Sequence, residues 1–326
     1  MALDPQNIVI NLTAVIVAVT DDQPRVLIVN TDDNDSNTSG SGLPSGPFDP
    51  LHHDSLESGL RRWVEAQTGL DLYYVEQLYT FGNRNRDPGE IRGGPRVISV
   101  AYIALARENA VSERSAGWRD LYSYLPWEDW RSGYPAMIGD TIAPALRDWV
   151  SSAIPGKSRK ARKERVNVTF GLKPGEEIDS VLSLERFELL YEAGVVAESG
   201  RDQSIEFAAA EMGQPLNSDH RRIIATALSR LRGKLAYRPV VFELLPGEFT
   251  LLQLQRVAEA LSGATVHKQN FRRLVAKADL VESIGRTTVL NRGRPAELFR
   301  FRREVLGERL TVGLSRPILR RPDTSA

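Results

Sequence analysis

The sequence predicts an α/β sandwich, with helices flanking a mixed sheet, followed by a helical connector and a C-terminal winged helix-turn-helix. The first half runs in the order strand, loop, helix, strand. Two segments with helical apolar spacing follow, and the last third shows a helix, a turn, a basic helix and a hairpin. We expect domains at residues 1–154, 155–238 and 239–326, because 326 residues exceed one ordinary core.

The composition excludes several classes of protein. The chain has no cysteine, so it has no disulfide or thiolate metal site, and a reducing cytoplasm is the expected location. Its four histidines, at 52, 53, 220 and 267, lack the spacing of zinc ligands. No apolar run approaches the roughly 18 residues that cross a bilayer. The sequence therefore predicts a soluble protein without a metal site or a membrane partner.

The first half carries strand and turn signals. Residues 8–19 and 25–30 alternate or are β-branched around a turn at 21–24, which predicts a hairpin. Two more strands are expected at 72–81 and 97–106. Loops are predicted for the Gly/Ser-rich residues 36–46 and for the polar residues 82–94.

A helix is predicted between the two pairs of strands. Asp54 or Ser55 can cap it, Glu57 completes a capping box, and Gly69 ends it. One face of this helix is apolar and comprises Leu56, Leu60, Trp63, Val64 and Gln67.

These elements resemble a Nudix domain of the ADP-ribose pyrophosphatase type over roughly residues 5–150. The resemblance rests on Leu43-Pro44-Ser45-Gly46, on Arg62 to Leu70 (RWVEAQTGL), on Tyr79 to Gly82 (YTFG) and on Arg86-Asp87-Pro88. In Nudix hydrolases this helix presents three glutamates that hold magnesium ions against a pyrophosphate.

The catalytic carboxylates of that family are missing here. Arg62 matches the arginine of the motif, but Trp63, Ala66 and Gln67 stand where the glutamates belong. Glu65 lies about 100° around the helix from either neighbouring position and cannot substitute. The resemblance therefore implies a domain with no catalytic residues, no metal and no catalytic cofactor.

A nucleotide pocket can persist without the carboxylates. Aromatic faces suit a base, and guanidinium groups suit phosphates. The candidate ligand residues are Tyr79, Phe81, Arg84, Arg86, Arg92 and Tyr102. The alternative is that the aromatic residues belong to the core and the arginines to a solvated loop.

The middle of the chain predicts a connector. Residues 155–165 join a Pro-Gly pair to six Lys or Arg residues and read as a basic linker, either solvated or touching a DNA backbone. Residues 178–195 and 219–231 have helical apolar spacing and are expected to form core helices or a dimer interface.

The last third predicts a winged helix. Thr250 caps a helix that ends at Ser262-Gly263, a basic helix follows, and strands are expected at 280–284 and 298–301. Between Thr265 and Arg303 ten Lys or Arg residues face three acids, a net of seven positive charges. The candidate DNA-binding residues are His267, Lys268, Gln269, Asn270, Arg272, Arg273 and Lys277, with Arg292 and Arg294 in the wing.

This C-terminal module looks like that of the Nudix-related transcription regulators called NrtR. The residues that carry the likeness are Phe242 to Pro246, Leu254-Gln255-Arg256, Lys268 to Arg273 and Gly293 to Ala296. The middle, with Asp219 to Arg222 and Leu231 to Lys234, is closer to the alphaproteobacterial NadQ repressors of NAD biosynthesis. The resemblance implies a homodimeric repressor on operator DNA, released by an adenine nucleotide or NAD-related effector such as ATP, NAD(H) or ADP-ribose.

Two other functions remain open from the sequence. One is an active Nudix pyrophosphatase acting on ADP-ribose-type nucleotides, and the other is an adaptor for nucleic acid or protein that binds no ligand. The residues alone establish a DNA-binding protein with a sensor-like domain.

Overall fold

The computed structural model describes residues 8–31, 40–84, 86–108, 116–172, 177–203, 212–235, 240–288, 295–302 and 319–320. The chain divides into two compact units. The first consists of Met1–Ala18, Arg25–Pro126 and Phe187–Ala227, and the second of Val19–Pro24, Trp127–Arg186 and Leu228–Ala326. Each unit thus consists of three separate segments of the sequence, whereas the sequence predicts consecutive domains. The predicted domain boundaries stay a prediction.

The first unit is built on a mixed sheet, as the sequence predicts. Within the described residues the strands are β1 (Ile8–Thr20), β2 (Gln23–Thr31), β3 (Gly40–Gly42), β4 (Ser45–Pro47), β5 (Tyr74–Phe81), β6 (Arg96–Leu105) and β7 (Ala116–Asp120). Their order is β3-β2-β1-β6-β5, with β4 also pairing β1 and β7 also pairing β2. β1 and β6 are parallel, whereas β4, β3, β7 and β5 pair antiparallel with their neighbours.

The loop expected over residues 36–46 is partly wrong. Gly40–Gly42 and Ser45–Pro47 form short strands, because their backbone groups pair with β2 and β1. The predicted β1–β2 hairpin is confirmed, and Asp21 and Asp22 turn it with φ values of 50° and 64°.

Helix α1 (Leu56–Thr68) lies where the sequence predicts it. Ser55 is its N-cap, and Gly69 ends it in the left-handed region at φ 70°. The capping box uses Ser58 rather than Glu57, since Ser58 is the third residue after the cap; Glu57 instead pairs with Arg61. The apolar face of α1 covers the sheet in a core that comprises Leu12, Ala14, Ile16, Leu27, Leu60, Val64, Leu70, Leu72, Val100, Tyr102 and Ala104.

The remaining helices before the C-terminal module are α2 (Pro88–Ile91), α3 (Ala143–Ser151), α4 (Lys157–Phe170), α5 (Ser183–Glu192), α6 (Ala197–Gln203) and α7 (His220–Leu235). Short 3₁₀ turns lie at Leu121–Ser123 and Pro126–Glu128, and a π-helical turn at Ile138–Ile142 precedes α3. α5 and α7 confirm the two helices predicted for the middle. α5 starts later than expected because Glu177–Ile178 form β8, paired with β12 (Leu319–Arg320).

The basic linker predicted at residues 155–165 is wrong in conformation. Helix α4 begins after Gly156, whose φ is 109°, and continues to Phe170. Lys and Arg are good helix formers, so a basic run after a Pro-Gly pair does not imply a linker. Val166 and Phe170 are buried and give the helix its packing face.

A buried ionic cluster holds the second unit together. Arg186 Nε donates to Glu128 Oε1 at 2.6 Å, Arg232 pairs with the other carboxylate oxygen, and all three side chains are buried. Arg232 also donates to the carbonyl of Leu261, and the Trp130 N–H donates to that of Gly263. Residues 127–186 are thereby bonded to the C-terminal module, which explains why they share one unit.

The C-terminal module has the predicted winged-helix order. A 3₁₀ turn at Val240–Leu244 precedes β9 (Phe249–Thr250), α8 (Leu251–Ser262), α9 (Lys268–Ala278), β10 (Val281–Thr288) and β11 (Ala296–Phe301). The strands form a sheet in the order β10-β11-β9. Thr250 caps α8 with Gln253 as its box partner, and Gly263 ends it at φ 72°.

Candidate functional site

Helix α9 presents a polar and basic face to solvent. Its apolar residues Phe271 and Val275 are buried against the module, 3% and 2% exposed. The residues that the sequence predicts for DNA contact are all exposed: His267, Lys268, Gln269, Asn270, Arg272, Arg273 and Lys277. All seven are therefore exposed on helix α9 or at its N-cap, while Arg292 and Arg294 lie outside the described residues.

The cations of this face are not neutralised locally. Of the three acids counted in this stretch, Asp279 pairs with Arg302, Glu282 pairs with Arg300, and Glu297 accepts a hydrogen bond from Ser283. Within the part of the chain that the structure describes, no ion pair involves Lys268, Arg272, Arg273 or Lys277. This face thus carries uncompensated positive charge, which favours a polyanion.

Two buried polar residues fix the turn before α9. Glu259 Oε1 accepts from the Val266 N–H at 2.9 Å and from Gln255 Nε2 at 3.0 Å. Gln255 Nε2 also donates to the Val266 carbonyl at 2.9 Å. The sequence interpretation missed both residues, although polar side chains four apart beside buried Leu254 and Ala258 are a usable signal.

In the first unit, two side chains of helix α1 anchor strand β4. The Trp63 indole donates to the Pro47 carbonyl at 2.9 Å and lies directly over Gly46, where an added Cβ would be 2.2 Å from the ring. The Gln67 amide bonds both the N–H and the carbonyl of Ser45, at 3.0 and 2.8 Å. These two side chains fill the helix face that presents carboxylates in Nudix hydrolases.

The described residues contain no group of three or more His, Asp or Glu side chains arranged to hold a metal ion. Ala66 and Glu65 are exposed on α1. No helix in the same described ranges is long and apolar enough to span a membrane.

Three of the six predicted ligand residues lie together. The Arg86 guanidinium is 5.0 Å above the centre of the Phe81 ring and donates to the Phe81 carbonyl at 2.8 Å. Tyr79, which is 59% exposed, contacts Phe81 edge-on with 5.1 Å between ring centres. An aromatic surface and an arginine thus meet at the end of β5.

The other three predicted ligand residues are not part of this group. Phe81 lies opposite Ser99 in the β5–β6 register, and Tyr102 is three residues beyond Ser99. Because side chains alternate along a strand, Tyr102 points to the other sheet face, where it packs in the core beneath α1. The structure therefore separates Tyr102 from Phe81, and a ligand contact of Tyr102 stays a prediction. Arg84 and Arg92 are exposed on the loop between β5 and β6.

Arg86 is held by Asp219, a contact that the sequence does not predict. Its Nε donates to Asp219 Oδ2 at 2.7 Å and its Nη2 bonds Asp219 Oδ1, so the contact is bidentate. Asp219 Oδ2 also accepts from Arg222 Nη1 at 3.2 Å, and Arg222 Nε is 2.7 Å from Glu188 Oε1. Arg86 and Asp219 are 133 residues apart, so no local pattern signals this pair.

Comparisons with known proteins agree with this geometry. Residues 241–301 match the family model of the NrtR DNA-binding winged helix domain. Over 83 residues the chain is 34% identical to the ADPR responsive transcriptional repressor NtrR of Acinetobacter baylyi. That alignment covers 26% of this chain and spans about a third, 33%, of the length of the curated relative.

Two crystal structures share the fold over most of the chain. Shewanella oneidensis NrtR complexed with a 27mer DNA has a TM-score of 0.56 at 24% identity, covering 90% of this chain and 93% of that one. A MutT/nudix family protein from Enterococcus faecalis has a TM-score of 0.52 at 17% identity, with 91% and 87% covered.

The chain thus combines an α/β unit, within the fold that it shares with these two crystal structures, and a C-terminal module that matches a DNA-binding winged helix domain. More particularly, residues 241–301 are similar to the NrtR DNA-binding winged helix domain.

Proposed function

We propose that this protein is a transcription repressor that binds operator DNA through α9 and the β10–β11 wing. The observation that carries the proposal is the exposed face of α9, which combines uncompensated cations with the amide side chains of Gln269 and Asn270. Arg and Lys contact phosphates and guanine, whereas Gln and Asn can bond adenine in the major groove. The repressor name of the Acinetobacter baylyi relative supports the same role.

The Nudix-like domain acts in this proposal as a sensor for an ADP-ribose-type nucleotide. The curated relative is described as ADPR responsive. Tyr79, Phe81 and Arg86 supply aromatic and cationic groups for a base and a phosphate. ATP and NAD(H) are the competing effectors, and genes of NAD biosynthesis are the proposed targets in the cytoplasm.

The sensor role includes the absence of hydrolysis. Trp63 and Gln67 bond the β4 backbone at the positions that would need carboxylates for magnesium. We expect no magnesium-dependent turnover of ADP-ribose or NADH. Turnover that a chelator abolishes and that Glu65→Gln also abolishes would instead favour the pyrophosphatase.

The test of the repressor role is footprinting across the genomic neighbourhood of the protein's own gene. We expect protection of a palindromic site, because one winged helix contacts too few base pairs for genomic specificity and a homodimer doubles them. Sedimentation with the protected duplex should give two chains per duplex. A monomer that stays 1:1 with DNA at saturation, or protection without sequence preference, would contradict the proposal.

A further inference from the structure

The segment before helix α7 lies against the glycine-rich strand β3. Asn217 N–H donates to the Ser41 carbonyl at 2.9 Å, and His220 Nδ1 accepts from the Leu43 N–H at 2.9 Å. A Cβ at Gly40 would be 2.1 Å from the Asn217 side chain, and one at Gly42 would be 2.8 Å from His220. The glycines of β3 therefore allow residues 217–220 to approach the strand closely.

The same segment places the Asp219 side chain in contact with Arg86. Both side chains are buried, 5% exposed for Arg86 and 8% for Asp219, and their contact is the bidentate one described above. Ser218 Oγ donates to Asp87 Oδ2 at 3.1 Å and has a φ of 50°, which is unusual for a residue with a side chain. Residues 217–220 are thus held at β3 and at the loop around Arg86.

Arginine binds a carboxylate and a phosphate with the same planar fork. The Arg86 guanidinium lies over the buried ring of Phe81, and the largely exposed Tyr79 contacts Phe81 edge-on, so the Tyr79 ring is available to a base or sugar near Arg86. The carboxylate of Asp219 already occupies the bidentate binding edge of the Arg86 guanidinium. It therefore stands where the phosphate of a nucleotide would bind.

We propose that Arg86 binds a phosphate of the nucleotide in the sensor and that Asp219 competes with this phosphate for the Arg86 guanidinium. The diphosphate group of a nucleotide must therefore displace Asp219 in order to bind. This inference rests on the proposed sensor function and adds its regulation. Displacement frees residues 217–220 from Arg86, so ligand binding and the position of this segment are coupled. Arg222 retains Glu188 as a partner when Asp219 leaves.

The test measures ADP-ribose affinity by calorimetry in the full-length chain. Asp219→Asn keeps the shape and one acceptor oxygen of the side chain but removes the charge that competes with phosphate. We expect it to bind ADP-ribose about tenfold more tightly than the wild type, because the binding-competent fraction of the protein rises.

Glu198→Gln is the matched control. Glu198 is a buried acid of the same compact unit that pairs with Arg221 at 3.0 Å and has no bond to Arg86. Its replacement should lower stability in thermal unfolding, as Asp219→Asn should, without tightening ADP-ribose binding. Equal tightening in both variants would overturn the proposal.

A second readout follows the displaced segment. The Asn217 and Leu43 amides are bonded across to Ser41 and His220, so they should exchange slowly without ligand. ADP-ribose should speed their exchange in the wild type. Unchanged exchange at both amides under saturating ADP-ribose would count against displacement.

The outcomes separate this inference from the proposed function. If the wild type binds ADP-ribose but Asp219→Asn binds it equally or more weakly, only the competitor role fails. If neither protein binds it, the sensor function fails as well. Binding by Asp219→Asn alone would support the competitor role in its strongest form.

Discussion

At the scale of single residues, the α9 face separates groups that can read bases from groups that can only attract phosphate. Gln269 and Arg272 are exposed and have bidentate hydrogen-bonding geometry, whereas Lys268 offers a point charge. We expect Gln269→Ala or Arg272→Ala to cost about 1–3 kcal/mol on the operator and little on random DNA.

Lys268→Ala is the comparison for those two variants. It should weaken operator and random DNA alike and reduce the salt dependence of binding. Anisotropy titrations on both duplexes at two salt concentrations measure this. Equal losses on both DNAs for all three variants would show that the face binds phosphate without reading sequence.

Glu128 is the acid shared by two buried arginines of the second unit, Arg186 and Arg232. Burial acts to raise the pKa of its carboxyl, but Arg186 and Arg232 outweigh burial and hold that pKa below its ordinary value. A depressed folded-state pKa stabilises the fold above the ordinary pKa of glutamate, and this contribution is lost as pH falls through the folded-state value.

Glu128→Gln leaves two buried arginines without a carboxylate and should lower the free energy of unfolding by about 3–5 kcal/mol at neutral pH. Urea unfolding at neutral and acidic pH checks this, and the difference between the two proteins should shrink as the pH falls. The exposed pair of Glu57 and Arg61 is the control, since Glu57→Gln should cost less than about 1 kcal/mol. Equal costs for both variants would contradict the role of Glu128.

At the scale of elements, the predictions that succeeded were those with local causes. Helices α1 and α8 each begin at a side-chain cap, Ser55 and Thr250, and end at a glycine, so the sequence predicts both ends of each helix closely. The Pro-Gly pair and the basic run at residues 155–165 predict a linker and do not reveal helix α4. The short strands β3 and β4 depend on backbone partners that no local pattern reveals.

The same distinction between local and tertiary causes applies to the residues of the two candidate sites. The α9 residues could be predicted because one helix carries them all, and helical spacing alone decides which side faces solvent. The grouping of the candidate ligand residues could not be predicted, since the β5–β6 register places Phe81 and Tyr102 on opposite faces of the sheet. Asp219 reaches Arg86 only through the tertiary fold.

The turn between α8 and α9 gives a prediction at this scale. Glu259→Ala removes the acceptor of the partly buried Val266 N–H, which should cost about 1–3 kcal/mol of stability and let α9 shift. Operator affinity should fall about tenfold, the equivalent of roughly 1.4 kcal/mol. Glu259→Gln keeps an acceptor oxygen and should restore most of that affinity. Operator binding that survives Glu259→Ala unchanged would show that this turn does not position α9.

At the scale of the whole molecule, one chain contains a winged-helix module and an α/β sheet unit. The proposed function requires that a ligand bound by the sheet unit changes the affinity of the protein for DNA. A ligand changes DNA affinity only if it binds two states of the protein with different affinities, and such couplings are typically about 1–3 kcal/mol. The resemblance to NrtR-type regulators implies the direction, in which the effector releases the operator.

The most direct measurement is an anisotropy titration of the footprinted operator duplex with the full-length protein, with and without saturating ADP-ribose. Random DNA of equal length is the control, and ATP and NAD are tested in parallel. We expect ADP-ribose to weaken operator binding by about 5- to 150-fold and to leave binding to random DNA nearly unchanged. An operator affinity that stays the same with all three nucleotides, or that never exceeds the affinity for random DNA, would contradict the account.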